Sequence, residues 1–211
     1  MRIIFVLFLA MYLFSFETKI VDIKKNIITI KDNIKRGVSG IVLCPYENKE
    51  IICASCVSVG NKKAKLEIYD NLENKAFALP IVYPKPKDKV IFKKNYDRIV
   101  IIAPNQFSYL RVKDEFKNFV VVPVDVFAAF LKDIPSKKDF INFAKQMDIG
   151  LYIFVLDELY VVDANSFYVL SKRKIDIPKK FEVPFYSSYD FGIKEKNIIN
   201  YYKKMLRGLN D

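Results

Sequence analysis

The chain has no histidine and no tryptophan among its 211 residues. Without histidine the commonest general base is missing, and Ser-His and Cys-His nucleophile pairs are excluded. Cysteine is scarce at three residues, which falls short of the four ligands of a closed zinc site. The six glycines are scattered, and none falls in P-loop or dinucleotide-binding spacing. Among acidic groups, Asp157-Glu158 sits at an expected turn. Asp97-Arg98, ahead of an apolar run, reads as a functional pair or as a charge pair at the start of a strand. These gaps point to a protein that is no enzyme and needs no cofactor or metal.

What is abundant is apolar and basic. A hydrophobic content of 52% supplies a core, and 15% aromatic residues argue against disorder. The formal charge of +11 suits nucleic acid, an anionic membrane surface or an acidic partner. The first residues choose among these. Met1-Arg2 gives a positive start, Ile3 to Phe14 is uninterrupted apolar sequence, and Ser15 is a small residue before Phe16-Glu17. That is the layout of a secretory signal peptide over residues 1–15, too short for the ~20 residues of a spanning helix. An uncleaved anchor is the alternative. Export to the periplasm or outer surface of a bacterial cell argues against nucleic acid as a partner.

Residues 16–95 read as β-structure. Val21 and Ile23 alternate with charged residues, Lys24-Lys25-Asn26 interrupts, and Ile28 and Ile30 resume, which predicts a hairpin. Further strands are expected at Ile41–Cys44, Ile51–Val59, Ala64–Tyr69 and Val90–Phe92. Ala78-Leu79-Pro80 and Pro84-Lys85-Pro86 serve as extended connectors. Turns at this spacing predict a small closed barrel. With Asn48-Lys49 as a two-residue turn, Cys44 lies opposite Cys53, where a disulfide becomes feasible in an oxidising compartment. Cys53 and Cys56 form a CxxC, but Val57-Ser58-Val59 continues a strand where a redox motif wants a helix N-terminus. Buried small residues with one bridge is the favoured reading.

Residues 96–180 change character. Ile99–Ala103 is an apolar run stopped by Pro104-Asn105, the mark of a strand buried on both faces. Asn105 is placed to cap a helix reaching Phe116, with Phe107, Leu110 and Phe116 as its apolar positions. A buried strand at Phe119–Val122 and a helix at Val126–Leu131 capped by Asp125 follow. Ser136 and Asp139 suggest a capping box, and Phe140, Phe143, Ala144 and Met147 form an amphipathic stripe. Gly150 is the expected C-cap of that helix. Strands at Leu151–Leu156, Leu159–Val162 and Phe167–Leu170 complete the pattern. The fold class is therefore α+β or α/β: a small barrel-like region followed by a mainly parallel sheet extended by an antiparallel meander. In the remaining segment, 181–211, Pro184–Tyr189 is aromatic without a period. Ile198, Tyr202, Met205 and Leu209 then predict an amphipathic helix whose other face holds Lys196, Lys203, Lys204 and Arg207. Such a helix either docks on the domain or lies on an anionic surface.

The stretches YDRIVIIAPN (Tyr96–Asn105), DVFAAFL (Asp125–Leu131) and IGLYIFVLDELYVVDANSF (Ile149–Phe167), with GVSG, ALP and PKPKDKV ahead of them in order, carry a likeness. Over roughly Glu17 to Tyr186 the chain resembles the N-terminal domain of a bacterial plasminogen-binding protein family. The resemblance implies an exported envelope or surface protein, with host plasminogen as partner. It also implies display of lysine side chains, which plasminogen's kringle modules recognise. Lys196, Lys203, Lys204 and Arg207 are the expected partner-binding residues. The alternative partner is an envelope protein, with the chain as a structural component of a periplasmic assembly.

Overall fold

The computed structural model describes residues 15–67, 82–132, 134–176 and 195–207, with 195–198 and 207 described by their backbone alone. The chain divides into two compact units, Met1–Lys94 and Asn95–Asp211. The fold is α+β: a closed six-stranded barrel in the first unit, a mixed five-stranded sheet in the second, and four described helices. Ala78-Leu79-Pro80, Pro184–Tyr189 and Leu209 lie outside the described residues.

The barrel strands are β1 (Phe16–Lys24), β2 (Ile27–Ile30), β3 (Ser39–Tyr46), β4 (Lys49–Gly60), β5 (Lys63–Glu67) and β6 (Lys89–Phe92). Their spatial order is β1-β2-β5-β4-β3-β6, and β6 pairs with both β3 and β1. Closure leaves no edge with unpaired backbone groups. Every strand alternates. Ile20, Ile28, Ile30, Val42, Cys44, Ala54, Cys56, Ala64, Val90 and Phe92 are buried, while Glu17, Lys19, Lys63, Lys65 and Glu67 are exposed. An apolar interior inside a charged exterior is the reverse of a membrane-spanning barrel. Gly40 is required where β3 meets β6, because a Cβ there would lie 2.8 Å from the Ile91 carbonyl oxygen and 2.9 Å from the Phe92 ring.

The β3–β4 hairpin differs from its predicted register. Tyr46 pairs with Lys49 across a turn at Glu47-Asn48, one residue earlier than expected, and Cys44 pairs with Ile51. Cys53 is instead the extra residue of a β-bulge, since Val42 pairs with Ala54 and Leu43 with Ile52. The Cys44 and Cys53 sulfurs are nevertheless joined, with Cα atoms 5.7 Å apart. Cys56 takes no part in the bridge and is buried, on the interior face with Ala54.

The second unit runs β7 (Arg98–Ile102), α1 (Gln106–Glu115), β8 (Val120–Val122), α2 (Val124–Phe130), α3 (Lys137–Met147), β9 (Leu151–Val155), β10 (Glu158–Asp163), β11 (Val169–Lys174) and α4 (Glu195–Arg207). The sheet order is β11-β10-β9-β7-β8. Strand β7 is parallel to β8 and β9, and β9-β10-β11 is an antiparallel meander. Two pairings of each kind make the sheet mixed rather than mainly parallel. The central strand β9 and its neighbour β7 are also the most buried, with Ile99–Ile102 and Leu151–Val155 at no measurable exposure. Strand β8 was expected to be buried but forms the edge, and Val120 is 51% exposed.

Helix ends follow local chemistry. The Asn105 side chain accepts from the Ser108 N–H at 2.8 Å, and Ser136 with Asp139 forms a complete capping box. Phe140, Phe143 and Ala144 are buried as their spacing predicts. Three expectations need correction. Helix α2 begins at Val124 after Pro123, so Asp125 lies in its first turn rather than capping it, where its charge suits the helix dipole. Helix α1 buries Ser108 and Val112 and leaves Phe107 and Leu110 facing solvent, since the sheet contacts only the narrow face that starts at the cap. Finally, Asp148 in left-handed conformation is the C-cap of α3. Gly150 is needed for close approach instead, because a Cβ there would lie 2.1 Å from the Asn95 carbonyl oxygen.

Candidate functional site

Helix α4 carries the basic residues singled out in the sequence. It folds because Tyr202 and Leu206, one turn apart, enter the core of the second unit. Tyr202 lies 5.4 Å from the Phe154 ring and 6.1 Å from Phe140, centroid to centroid. Ile199 and Met205 pack partly against the same core, so the inward stripe is Ile199, Tyr202, Met205 and Leu206. The Tyr201 hydroxyl donates to the Pro135 carbonyl at 3.0 Å.

The four cationic residues are not equivalent. Lys203 turns toward the domain, and its Nζ lies 2.8 Å from Asp157 Oδ2. Lys204, one residue on, is exposed. Lys196 and Arg207 share the helix, but their side chains lie outside the described residues. Around Asp157 there is a small charged cluster. The Tyr160 hydroxyl donates to Asp157 at 3.4 Å and to Glu158 at 3.3 Å, and Lys172 lies 3.7 Å from Glu158. Partial burial works to raise the Asp157 pKa. The hydrogen bond and charge of Lys203, with backbone N–H donors, outweigh it and hold the carboxyl below its usual value. Burial, then the Asp157 and Glu158 charges, push the Tyr160 phenol up to about 12. This arrangement locks a helix to a strand turn. Asp157 is exposed at its turn and at the same time anchors Lys203.

A second polar constellation was not foreseen. Asp163 is fully buried and accepts a short hydrogen bond from the Tyr96 hydroxyl. It also accepts from the N–H groups of Asn165 at 3.0 Å and Ser166 at 2.8 Å. The latter two bonds form the Asx-type turn that Asp-Ala-Asn-Ser encodes, which was the available signal. The Tyr96 partner, 67 residues away, had none. The Arg98 guanidinium donates to the Met147 carbonyl at 3.2 Å and is not joined to Asp97. Among the described residues no cluster of three or more His, Cys, Asp or Glu side chains could hold a metal ion.

Fold and site together define an α+β protein that exposes cations and uses its buried polar groups to tie elements together. The chain belongs to the family described as "Plasminogen-binding protein pgbA N-terminal", which matches residues 15–205. It is similar to two curated relatives named Plasminogen-binding protein PgbA, from Helicobacter pylori strains J99 and 26695. These are 23% and 22% identical over 209 residues, covering 89% of this chain. The chain spans only 46% of the length of each relative. No solved structure matches. The stretches around Tyr96 and Asp163 are accounted for by burial, capping and the Tyr96–Asp163 bond.

Proposed function

We propose that this protein is an exported, non-enzymatic binding protein of the bacterial cell envelope that engages host plasminogen through exposed lysines. The observation that carries the reading is family membership across residues 15–205, together with the plasminogen-binding name of the relatives. Export rests on the leader layout of residues 1–15. Within the basic helix, Lys204 is the residue best placed to meet a partner, because it is exposed and lies beside a helix face anchored in the core. Lys203 contributes less, because leaving Asp157 costs it an ion pair. Plasminogen immobilised on beads should retain the protein, and a soluble lysine analogue should release it. Retention that is absent, or indifferent to the analogue, would sink this reading. Lys204→Ala should weaken retention more than Lys203→Ala.

A second reading, a structural component of an envelope assembly, is favoured by one observation. Phe107, Leu110 and Val120 of the second unit are 61%, 53% and 51% exposed, apolar surface suited to protein contacts. Protease treatment of intact cells separates the two readings. A surface binder is degraded, whereas a periplasmic component is spared.

A further inference from the structure

The two ends of the barrel differ in charge. At one end the 31–38 loop meets the turn between β4 and β5. Ile30 N–H donates to the Lys62 carbonyl at 2.8 Å and Gly37 N–H to the Ser58 carbonyl at 2.8 Å. Lys62 N–H donates to Asn33 Oδ1 at 3.3 Å, and the Ser58 hydroxyl to the Ile34 carbonyl at 2.9 Å. These bonds hold Lys31, Lys35, Arg36, Lys62 and Lys63 along one rim, and all five are exposed. The acid of the loop, Asp32, is half-buried and accepts from the Thr18 hydroxyl at 2.7 Å. Toward the opposite end, cations sit beside acids: Lys24 lies 3.8 Å from Asp22 and Lys89 lies 3.2 Å from Glu50. One acid, Glu17, lies where β1 enters, exposed and 4.0 Å from Lys89; among the described residues the rim still carries more cations than acids.

A separate observation concerns where the chain enters. Strand β1 begins at Phe16, which pairs with Phe92, and Lys31 N–H donates to the Lys19 carbonyl at 3.2 Å. In the uncleaved chain the apolar sequence Ile3–Phe14 is therefore linked through Ser15 to β1 at the cationic rim and not at the end of mixed charge. A cluster of lysine and arginine next to the attachment point of an apolar segment matches the surface of a bilayer that carries anionic headgroups. We propose that this rim docks the protein on the phosphate headgroups of an anionic lipid bilayer. The rim does so on the barrel, with no part played by α4, whose Lys203 is turned to Asp157. Because rim charges are exposed, their attraction acts within about a Debye length and is screened by salt. The inference does not depend on plasminogen, and its test contains none.

The test is co-sedimentation of the full chain with vesicles of phosphatidylcholine alone and of phosphatidylcholine with phosphatidylglycerol, at low and high salt. The apolar run contributes equally to both vesicle types, so the difference between them reads the rim. The wild-type chain should prefer the anionic vesicles at low salt and lose that preference at high salt. Each rim cation is expected to contribute roughly fivefold, so the Lys31→Glu/Lys62→Glu/Lys63→Glu variant should fall by about a hundredfold. Lys204→Glu should leave binding unchanged, and inorganic phosphate at matched ionic strength should not displace the protein. If the triple variant fails to fold by circular dichroism, Lys31→Gln/Lys62→Gln decides instead, with a smaller loss in the same direction. Equal binding to both vesicles, undiminished binding by the folded variants, loss through Lys204→Glu, or displacement by free phosphate would each overturn the proposal.

Discussion

The barrel is filled by Ile20, Ile28, Ile30, Val42, Ala54, Ala64 and Val90, with Phe92 the largest fully buried ring among its described residues. The second unit instead stacks Phe127, Phe140, Phe143, Tyr152, Phe154, Phe167 and Tyr202 in one cluster. Phe140 sits at the centre of that cluster, with ring centroids 4.6 Å from Phe127, 5.0 Å from Tyr152 and 5.3 Å from both Phe154 and Phe167. The difference follows from closure. A six-stranded barrel pairs its own edges, and its narrow interior admits mainly aliphatic side chains. An open mixed sheet needs helices to cover it, and large rings on α2, α3 and α4 fill the space between layers. One unit is held by a continuous ladder with a covalent bridge, the other by side-chain packing.

The most direct way to break that contrast is Phe140→Ala. Removing a ring that touches five others should cost about 3–5 kcal/mol, read by urea unfolding. The loss should appear in a transition that leaves the barrel's strand signal in place; loss of both signals together at the same midpoint would make the two units one cooperative body. Next in size is the bridge. Cys53→Ala opens a loop closed by residues nine apart and should cost about 2–3 kcal/mol, confined to the barrel. Mass measurement after alkylation of the unfolded chain without reductant should show one labelled cysteine, Cys56; three labelled cysteines would remove the bridge from the comparison.

Tyr96→Phe takes a donor from the buried Asp163 carboxylate while keeping the ring. A cost of about 1–3 kcal/mol is expected for leaving a buried acceptor short of a donor, by denaturant titration. An unchanged midpoint would mean that the Asn165 and Ser166 amides suffice. The smallest effect belongs to the Lys203–Asp157 contact, whose carboxylate is half exposed, so Asp157→Asn should cost less than about 1 kcal/mol. Its sign with pH is fixed. The folded carboxyl titrates below its ordinary 3.8, so its contribution is present above that pH and lost as pH falls through the folded value. Melting curves taken downward from pH 5 should show the wild type losing its small advantage over Asp157→Asn. Tyr160 works oppositely: with its phenol raised from 10.0 to about 12, stability present below pH 10 declines between those values.

Much of the local structure was legible. Ile28 and Ile30, Val42 and Cys44, Ala54 and Cys56 alternate in sequence and all point inward. Asn105, Ser136 and Asp139 cap the helices that their side chains announce. The site was less legible. Lys203 and Lys204 are adjacent and chemically identical in sequence, yet one is bound to Asp157 and the other is exposed. The cationic rim was missed because Lys31, Lys35 and Arg36 belong to one loop and Lys62 and Lys63 to another turn, joined only by hydrogen bonds across the barrel end.

By itself, then, the amino-acid order determined what depends on neighbours a few residues apart: period-two strands, the Phe140–Phe143–Ala144 stripe, caps, and the overall excess of positive charge. Tertiary structure alone decided the β-bulge at Cys53, the solvent-facing Phe107 and Leu110, the edge position of β8, the Gly150–Asn95 approach and the partner of each charge. The physical reason is that these depend on which distant elements meet. A side chain's local pattern states that it can be buried or paired, but the partner that buries or pairs it lies tens of residues away.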